Sequence, residues 1–202
     1  MSPVAELAIL AALWCAAHSV LITPRVTAYA RRRFGALFAW YRLLYNLFSL
    51  VSLLPLLLCL RHAEAHTLFT WAQPWILVSW FAIAAAVYLL AAGARVHDNA
   101  HFFGFSQIAA QRRGREDAVQ PFHTRGILAR VRHPYYSAGM LLMIFAGDIT
   151  DVNLAVRIVF LVYLIVGAML EEKKLLAEFG DVYVRYREKV PMFVPRMGRR
   201  GT

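Results

Sequence analysis

The sequence predicts an all-α integral membrane protein with about five transmembrane helices, the last two forming a helical hairpin. Three observations predict it. Of the 202 residues, 60% are hydrophobic and only 17% are charged, whereas a soluble domain has about a quarter of its residues charged. The mean hydropathy is positive, +0.51. The apolar residues fall into long runs separated by short basic stretches, rather than alternating as in a barrel strand. Such a chain cannot cover itself with polar side chains, so part of its solvent must be lipid.

The first apolar run goes from Val4 to Ile22 and stops at Pro24. Glu6 stands where a signal peptide carries Lys or Arg, so the run is expected to be a retained first span. A basic loop follows, with Arg25, Arg31, Arg32 and Arg33. The second run, Trp40 to Leu60, contains Pro55 and is expected to kink there. The third, Trp71 to Ala94, opens with Trp71, Trp75 and Trp80 as an interfacial belt. Next comes a long polar stretch from Arg95 to Arg132 with seven arginines and three histidines. A fourth apolar piece, Tyr135 to Gly147, is short for a bilayer, at roughly 20 Å of helix. It is expected to extend backward through Pro134, with Arg130 and Arg132 snorkelling. A polar turn at Asp148, Thr150, Asp151 and Asn153 leads into the last run, Leu154 to Leu170. Small residues, among them Ser137, Ala138, Gly139, Gly147, Gly167 and Ala168, allow close helix approach in the hairpin. Gly180 is expected to stop a helix and Asp181 to cap a short one that Pro191 ends. Two regions result: a three-helix membrane portion over residues 1–95, and a core over 96–202.

The net charge of +10 fits contact with anionic lipid better than nucleic acid, because the aromatics lie inside apolar runs and not among the arginines. Lys and Arg collect after the first run, in the long polar stretch and in the tail. The positive-inside rule then places the N-terminus outside and the C-terminus in the cytoplasm. Cys15 and Cys59 both lie in apolar segments and form no metal or disulfide pattern.

Polar groups gather at both ends of the hairpin: Arg132-His133-Pro134-Tyr135-Tyr136 at its start and Glu171-Glu172 at its end. A hairpin brings its ends together, so His133 and Tyr136, three residues apart on one helix face, are expected near the two acids. Carboxylates at a membrane boundary need pairing or solvation. A salt bridge with Lys173, Lys174 or Arg132 would satisfy them as well as a ligand would.

RHPYY, an apolar hairpin, EE and then FGDVYVRYREKVPMFVP together resemble the C-terminal core of isoprenylcysteine carboxyl methyltransferases and their bacterial relatives. Methanethiol S-methyltransferases and phospholipid N-methyltransferases share the scheme. The resemblance covers roughly Gly126 to Pro195, a third of the chain. It implies an integral membrane methyltransferase that uses S-adenosylmethionine in a cytoplasm-facing pocket formed by the long loop, the hairpin and the C-terminal helix. The absence of any GxG agrees that no Rossmann fold is involved. Carried over residue by residue, the resemblance makes His133, Tyr136, Glu171 and Glu172 cofactor-binding. His133, Tyr136 or an arginine such as Arg132 is a donor for the cofactor carboxylate, and Tyr183 and Arg187, one helical turn apart, close the pocket. The acceptor is expected to be a small or lipophilic molecule carrying a thiol, carboxylate or amine. A small thiol or another hydrophobic small molecule is favoured because a prenylated protein is an unattractive substrate for so short a bacterial-looking chain.

AHSV and YRLLYN, with His18, Arg42, Tyr45 and Asn46, resemble features of bacterial members of that superfamily and of NnrU-type membrane proteins. A histidine inside a membrane run is a functional candidate by default; a hydrogen bond to Ser19 or a neighbouring helix explains it equally. His97 and His101 in HDNAH would share a face if a helix ran through both, as a metal pair does, but no HExxH pattern follows and no metal site is assigned. An amphipathic interfacial helix with Phe102, Phe103 and Phe105 at the membrane is the preferred reading. Two other function classes remain. One is an NADPH-dependent reductase of the sterol-reductase kind, with Arg112, Arg113 and Arg115 for the 2′-phosphate. The other is a non-enzymatic NnrU-like accessory protein holding haem or metal on His18, His97 and His101.

Overall fold

The computed structural model describes residues 2–115 and 121–195. Among these, four stretches are long and apolar enough to cross a membrane: Pro3–Leu21, Pro24–His62, Ile76–Val96 and Asp151–Phe179. The fourth apolar piece of the sequence is a shorter helix, Pro134–Phe145. The chain is an integral membrane protein, with four such stretches where about five spans were expected.

Helix α1 (Pro3–Leu21) starts where the Ser2 side chain accepts the Ala5 N–H, with Pro3 at its first position. That combination satisfies an orphan donor and removes another. The basic segment after it is not a loop. It forms helix α2 (Pro24–Phe34), capped by Thr23 and preceding a 3₁₀ turn over Gly35–Trp40. Helix α3 (Tyr41–His62) runs continuously through Pro55. Strand β1 (Thr67–Phe69) precedes helix α4 (Ile76–Val96). Two short helices follow, α5 (Asn99–Phe103) and α6 (Phe105–Arg112). Helix α7 (Pro134–Phe145) and the two-residue strand β2 (Ile149–Thr150) lead into α8 (Asp151–Phe179), and α9 (Asp181–Lys189) closes the described fold. Strands β1 and β2 pair as a two-stranded sheet.

Several boundaries differ from the sequence reading for identifiable reasons. Helix α7 begins at Pro134 and does not extend backward, because Arg132 and His133 use their backbone N–H groups on Pro191 O and Met192 O (3.0 and 3.1 Å). Helix α8 carries its backbone ladder past the apolar run, through Glu171 and Glu172 to Phe179, and stops before Gly180 as the sequence leads one to expect. Gly180, not Asp181, is the cap of α9, and Asp181 sits in its first turn, where a carboxylate suits the helix dipole. A Cβ on Gly147 would meet nothing within 4 Å, and its φ of +70° makes it a turn residue, a conformation glycine adopts without strain.

The chain divides into two compact units. The first comprises Met1–Thr67, Asp98–Gln120 and Thr150–Phe160. Its core is Leu7 and Ala11 of α1, Leu56 of α3, and Val152 and Val156 of α8. The second comprises Leu68–His97, Pro121–Ile149 and Leu161–Thr202. Its core joins Ala86 and Leu89 of α4 to Ala138 of α7, with Ile127 and Val131 alongside. Within it α4 and α7 lie side by side in opposite directions. At one end a Cβ on Gly93 would lie 2.9 Å from the Tyr135 ring. At the other, the Ser79 hydroxyl donates to Phe145 O at 2.7 Å. Helices α7 and α8 approach through the small residues singled out in the sequence. Gly139 faces Leu164, Gly167 faces the Tyr136 ring, and Ala138 and Ala168 are fully buried. Large apolar side chains such as Leu13, Leu50, Phe81 and Val162 point outward from the long helices, as they must where the surrounding medium is lipid.

Candidate functional site

The second unit concentrates its charge where α7 begins, α8 passes and α9 ends. Glu172 projects from α8, which continues as helix beyond its apolar stretch, and is buried. A buried carboxylate needs partners, and three surround it. Arg132 Nε lies 2.7 Å from Oε1. Its N–H is not aimed along that line, so this is a charge contact rather than a hydrogen bond. His133 Nε2 donates to the same oxygen at 3.1 Å. Arg187 Nε is 3.4 Å from Oε2. The neighbouring Glu171 is different: its side chain is 45% exposed, and its nearest basic group is His133 Nδ1 at 3.9 Å. Neither lysine of the sequence's alternative pairing, Lys173 or Lys174, takes part; both are exposed.

The cations are positioned by the local backbone. Arg132 does not snorkel. Its Nη1 donates to Arg187 O and Val190 O, both at 3.0 Å, satisfying the open carbonyls at the end of α9 and opposing that end of its dipole. His133 is the N-cap residue of α7 but gives no side-chain cap. Its ring is committed instead to Glu172. A carboxylate can only accept, so Nε2 carries a proton. The Tyr136 ring stands edge-on to His133, with centroids 5.4 Å apart, and fits beside α8 because residue 167 is glycine.

Helix α9 supplies the remaining wall. Tyr183 is 1% exposed, and its hydroxyl has no hydrogen-bond partner among the described residues. Burial, reinforced by the Glu172 carboxylate, pushes this phenol far above its ordinary range, so it remains a donor. Tyr186 donates to Leu128 O at 2.6 Å. Its pKa is raised to about 12, mainly by burial, with Arg132 opposing and Glu172 adding to the shift. Phe122 packs against Phe179, Tyr183 and Tyr186, with centroids 4.9 to 5.7 Å apart. A cavity of about 340 Å³ opens beside the cluster, lined by Arg132, Val184, Arg187 and Glu188.

All seven residues singled out in the sequence therefore lie in this one unit, about a single carboxylate cluster and the aromatic wall beside it. The sequence reading missed Tyr186, Phe122, Glu188 and Ser137, whose hydroxyl donates to Phe193 O at 2.6 Å. The aromatic spacing in DVYVRYREK was a usable signal for Tyr186. Nothing in the sequence marked Phe122, which is brought in from a distant loop.

The other histidines singled out in the sequence, His18, His97 and His101, have local partners. His18 in α1 uses both ring nitrogens on α3, Nδ1 with Ser49 Oγ at 2.9 Å and Nε2 with Tyr45 Oη at 2.7 Å. No helix runs through His97 and His101: α4 ends before His97, and Asp98 caps α5 by accepting the His101 N–H. His97 Nδ1 donates to Gly93 O, and His101 meets Gln107. Among the described residues no group of His, Cys, Asp and Glu is arranged to hold a metal. Cys15 and Cys59 are free.

No protein-family profile matches the chain, and no solved structure matches it. Curated relatives do. Methanethiol S-methyltransferase 2 of Bradyrhizobium diazoefficiens is 31% identical over 192 residues, covering 94% of this chain and 72% of the relative. Methanethiol S-methyltransferase of Pseudomonas sp. (strain GM41(2012)) is 30% identical over 192 residues, with coverage of 94% and 72%. That of Crocosphaera subtropica is 33% identical over 102 residues, 50% of this chain and 40% of the relative.

Proposed function

The chain belongs to the methanethiol S-methyltransferase family, within the isoprenylcysteine carboxyl methyltransferase-like group of membrane methyltransferases, and from this we propose that it transfers the methyl group of S-adenosylmethionine to a small thiol. The observation that carries the reading is the charge cluster on Glu172, set beside a half-exposed second carboxylate, an unpartnered buried phenol and a cavity.

The residues fit the methyl donor. Its amino-acid end is a zwitterion, which needs a carboxylate for the ammonium and guanidinium or hydroxyl donors for the carboxylate. Glu172 is already neutralised by Arg132, His133 and Arg187, so Glu171 is the acid left to meet the ammonium. Arg187, Tyr136 and the Tyr183 hydroxyl are donors for the carboxylate. The aromatic wall of Phe122 and Tyr183 suits an adenine ring. The cavity volume falls within the roughly 300–1,000 Å³ of small-molecule sites.

When bound, S-adenosylmethionine supplies a methyl carbon made electrophilic by its sulfonium. The protein has to align an acceptor sulfur with that carbon, exclude water and accept the thiol proton. His133 is built for the last task. Glu172 fixes its Nε2–H, so Nδ1 presents its lone pair to the site in one orientation, as an imidazole general base requires.

The same reading covers the membrane topology: five passes, the N-terminus outside, the C-terminus and the site cytoplasmic, in a bacterial inner membrane. Its support lies in the second unit. Helix α7 runs antiparallel along α4, and Trp71 N, just before α4, donates to the Asp148 carboxylate, just after α7. A segment that accompanies a full span from end to end crosses with it, although its helix has only 12 residues. The proposal is tested by methyl transfer to methanethiol in detergent or vesicles. Dimethyl sulfide formation in wild type and its loss in Glu171→Ala support it; no transfer to any small thiol refutes it.

A further inference from the structure

We propose that the first unit carries a separate lipid site, which takes the headgroup and glycerol backbone of an anionic phospholipid. Helix α6 places Phe105, Ile108 and Ala109 on one face, with Arg112 a turn further on, the spacing of a single helical stripe. That face, with Trp40 of the 3₁₀ turn and Leu43 of α3, walls a cavity of about 470 Å³ whose rim is Arg112 and Arg113.

The cleft is held in shape. Gly104 separates α5 from α6 at φ +96°, and a Cβ there would lie 2.7 Å from Leu43 N. Only glycine allows this approach. Asn46 Nδ2 donates to Phe102 O at 3.1 Å, tying α5 to α3. The Arg112 guanidinium lies 5.9 Å from the centre of the Trp40 ring, within cation–π range.

Charge and polarity select the occupant. Among the described residues neither Arg112 nor Arg113 meets a carboxylate, and both are exposed. Two adjacent guanidiniums above an apolar cleft match a phosphodiester, which offers paired oxygens for forked donors. A free phosphate would leave Trp40, Leu43, Phe105 and Ile108 without a partner. A phospholipid would not, because its chains continue onto Leu44, Leu47 and Phe48, which are exposed along α3. In sequence α5 and α6 follow directly on α4, in a stretch where a headgroup-contacting segment is expected.

Native mass spectrometry of the full chain in detergent tests this, with dioleoyl phosphatidylglycerol, dioleoyl phosphatidylcholine and inorganic phosphate as probes. One phosphatidylglycerol should be retained at least tenfold better than phosphatidylcholine. Arg112→Gln/Arg113→Gln should reduce it to the phosphatidylcholine level with an unchanged melting temperature, since both side chains are exposed. Arg31→Gln/Arg32→Gln on α2 removes equal charge outside the cleft and should have no effect. Equal retention of the two lipids, equal weakening by both double variants, or displacement by inorganic phosphate overturns the proposal.

Discussion

Replacing Tyr183 by Phe removes one oxygen and separates a structural phenol from a ligand-binding one. The hydroxyl is buried and has no hydrogen-bond partner among the described residues. Keeping such a group from water costs about 1–3 kcal/mol. Its removal should therefore leave the ligand-free protein as stable as wild type, or more stable by about 1 kcal/mol, a rise of roughly 2–4 °C in melting temperature for a chain of this size. With S-adenosylhomocysteine the sign reverses. A hydrogen bond to a charged ligand group contributes about 1.5–3 kcal/mol, so affinity should fall by roughly ten- to a hundredfold. Tyr186→Phe is the matched control. Its hydroxyl holds Leu128 O at 2.6 Å, and its loss should lower stability by about 1 kcal/mol. Thermal unfolding in detergent and calorimetric titration give the two readouts. A Tyr183→Phe variant that melts several degrees lower, with unchanged affinity, would refute the reasoning, because the phenol would then be structural.

The two acids should separate in the same assays. Glu172→Ala strands Arg132 in a buried site and should cost about 3–5 kcal/mol, while Glu171→Ala, at the more exposed acid, should leave the melting temperature nearly unchanged and weaken S-adenosylhomocysteine at least tenfold. The raised Tyr186 pKa, about 12, gives a sign for alkaline stability. Because the phenol ionises later in the folded state, its contribution is complete below about pH 10, the unfolded value, and is lost as pH rises toward 12; urea unfolding from pH 9 to 11.5 should show a shallower decline in Tyr186→Phe. Gly93→Val should lower stability by about 1–3 kcal/mol, since the new side chain meets Tyr135; unchanged unfolding would argue against the α4–α7 packing. In a cysteine-free background, Asp148→Cys should react with a membrane-impermeant maleimide added outside and Arg125→Cys only after permeabilisation; the same behaviour at both positions would remove the fifth pass.

Much of this architecture was legible because membrane spans announce themselves by length. The segments that became α1, α3, α4 and α8 were each read within a few residues at their starts or ends. Helix α2 was not, because its arginines read as a loop and its helical periodicity lies in charge rather than hydrophobicity. The end of α8 was marked not by hydropathy, which falls off at Leu170, but by Gly180, the residue at which the helix stops. The side chains of RHPYY and EE lie together because a hairpin brings its two ends to one place, as expected from the sequence. What the sequence could not show were contacts made by backbone, such as Arg132 N and His133 N on Pro191 O and Met192 O. Nor could it show that Glu172 is buried against Arg132, His133 and Arg187 while Glu171 is the more exposed of the two acids.

The central claim is tested most directly by calorimetric titration of the purified protein with S-adenosylhomocysteine, with NADPH as the comparison ligand. The account predicts saturable, one-to-one binding of S-adenosylhomocysteine that Glu171→Ala and His133→Ala both weaken, and no binding of NADPH. Binding of NADPH alone, or S-adenosylhomocysteine binding indifferent to both substitutions, would contradict it.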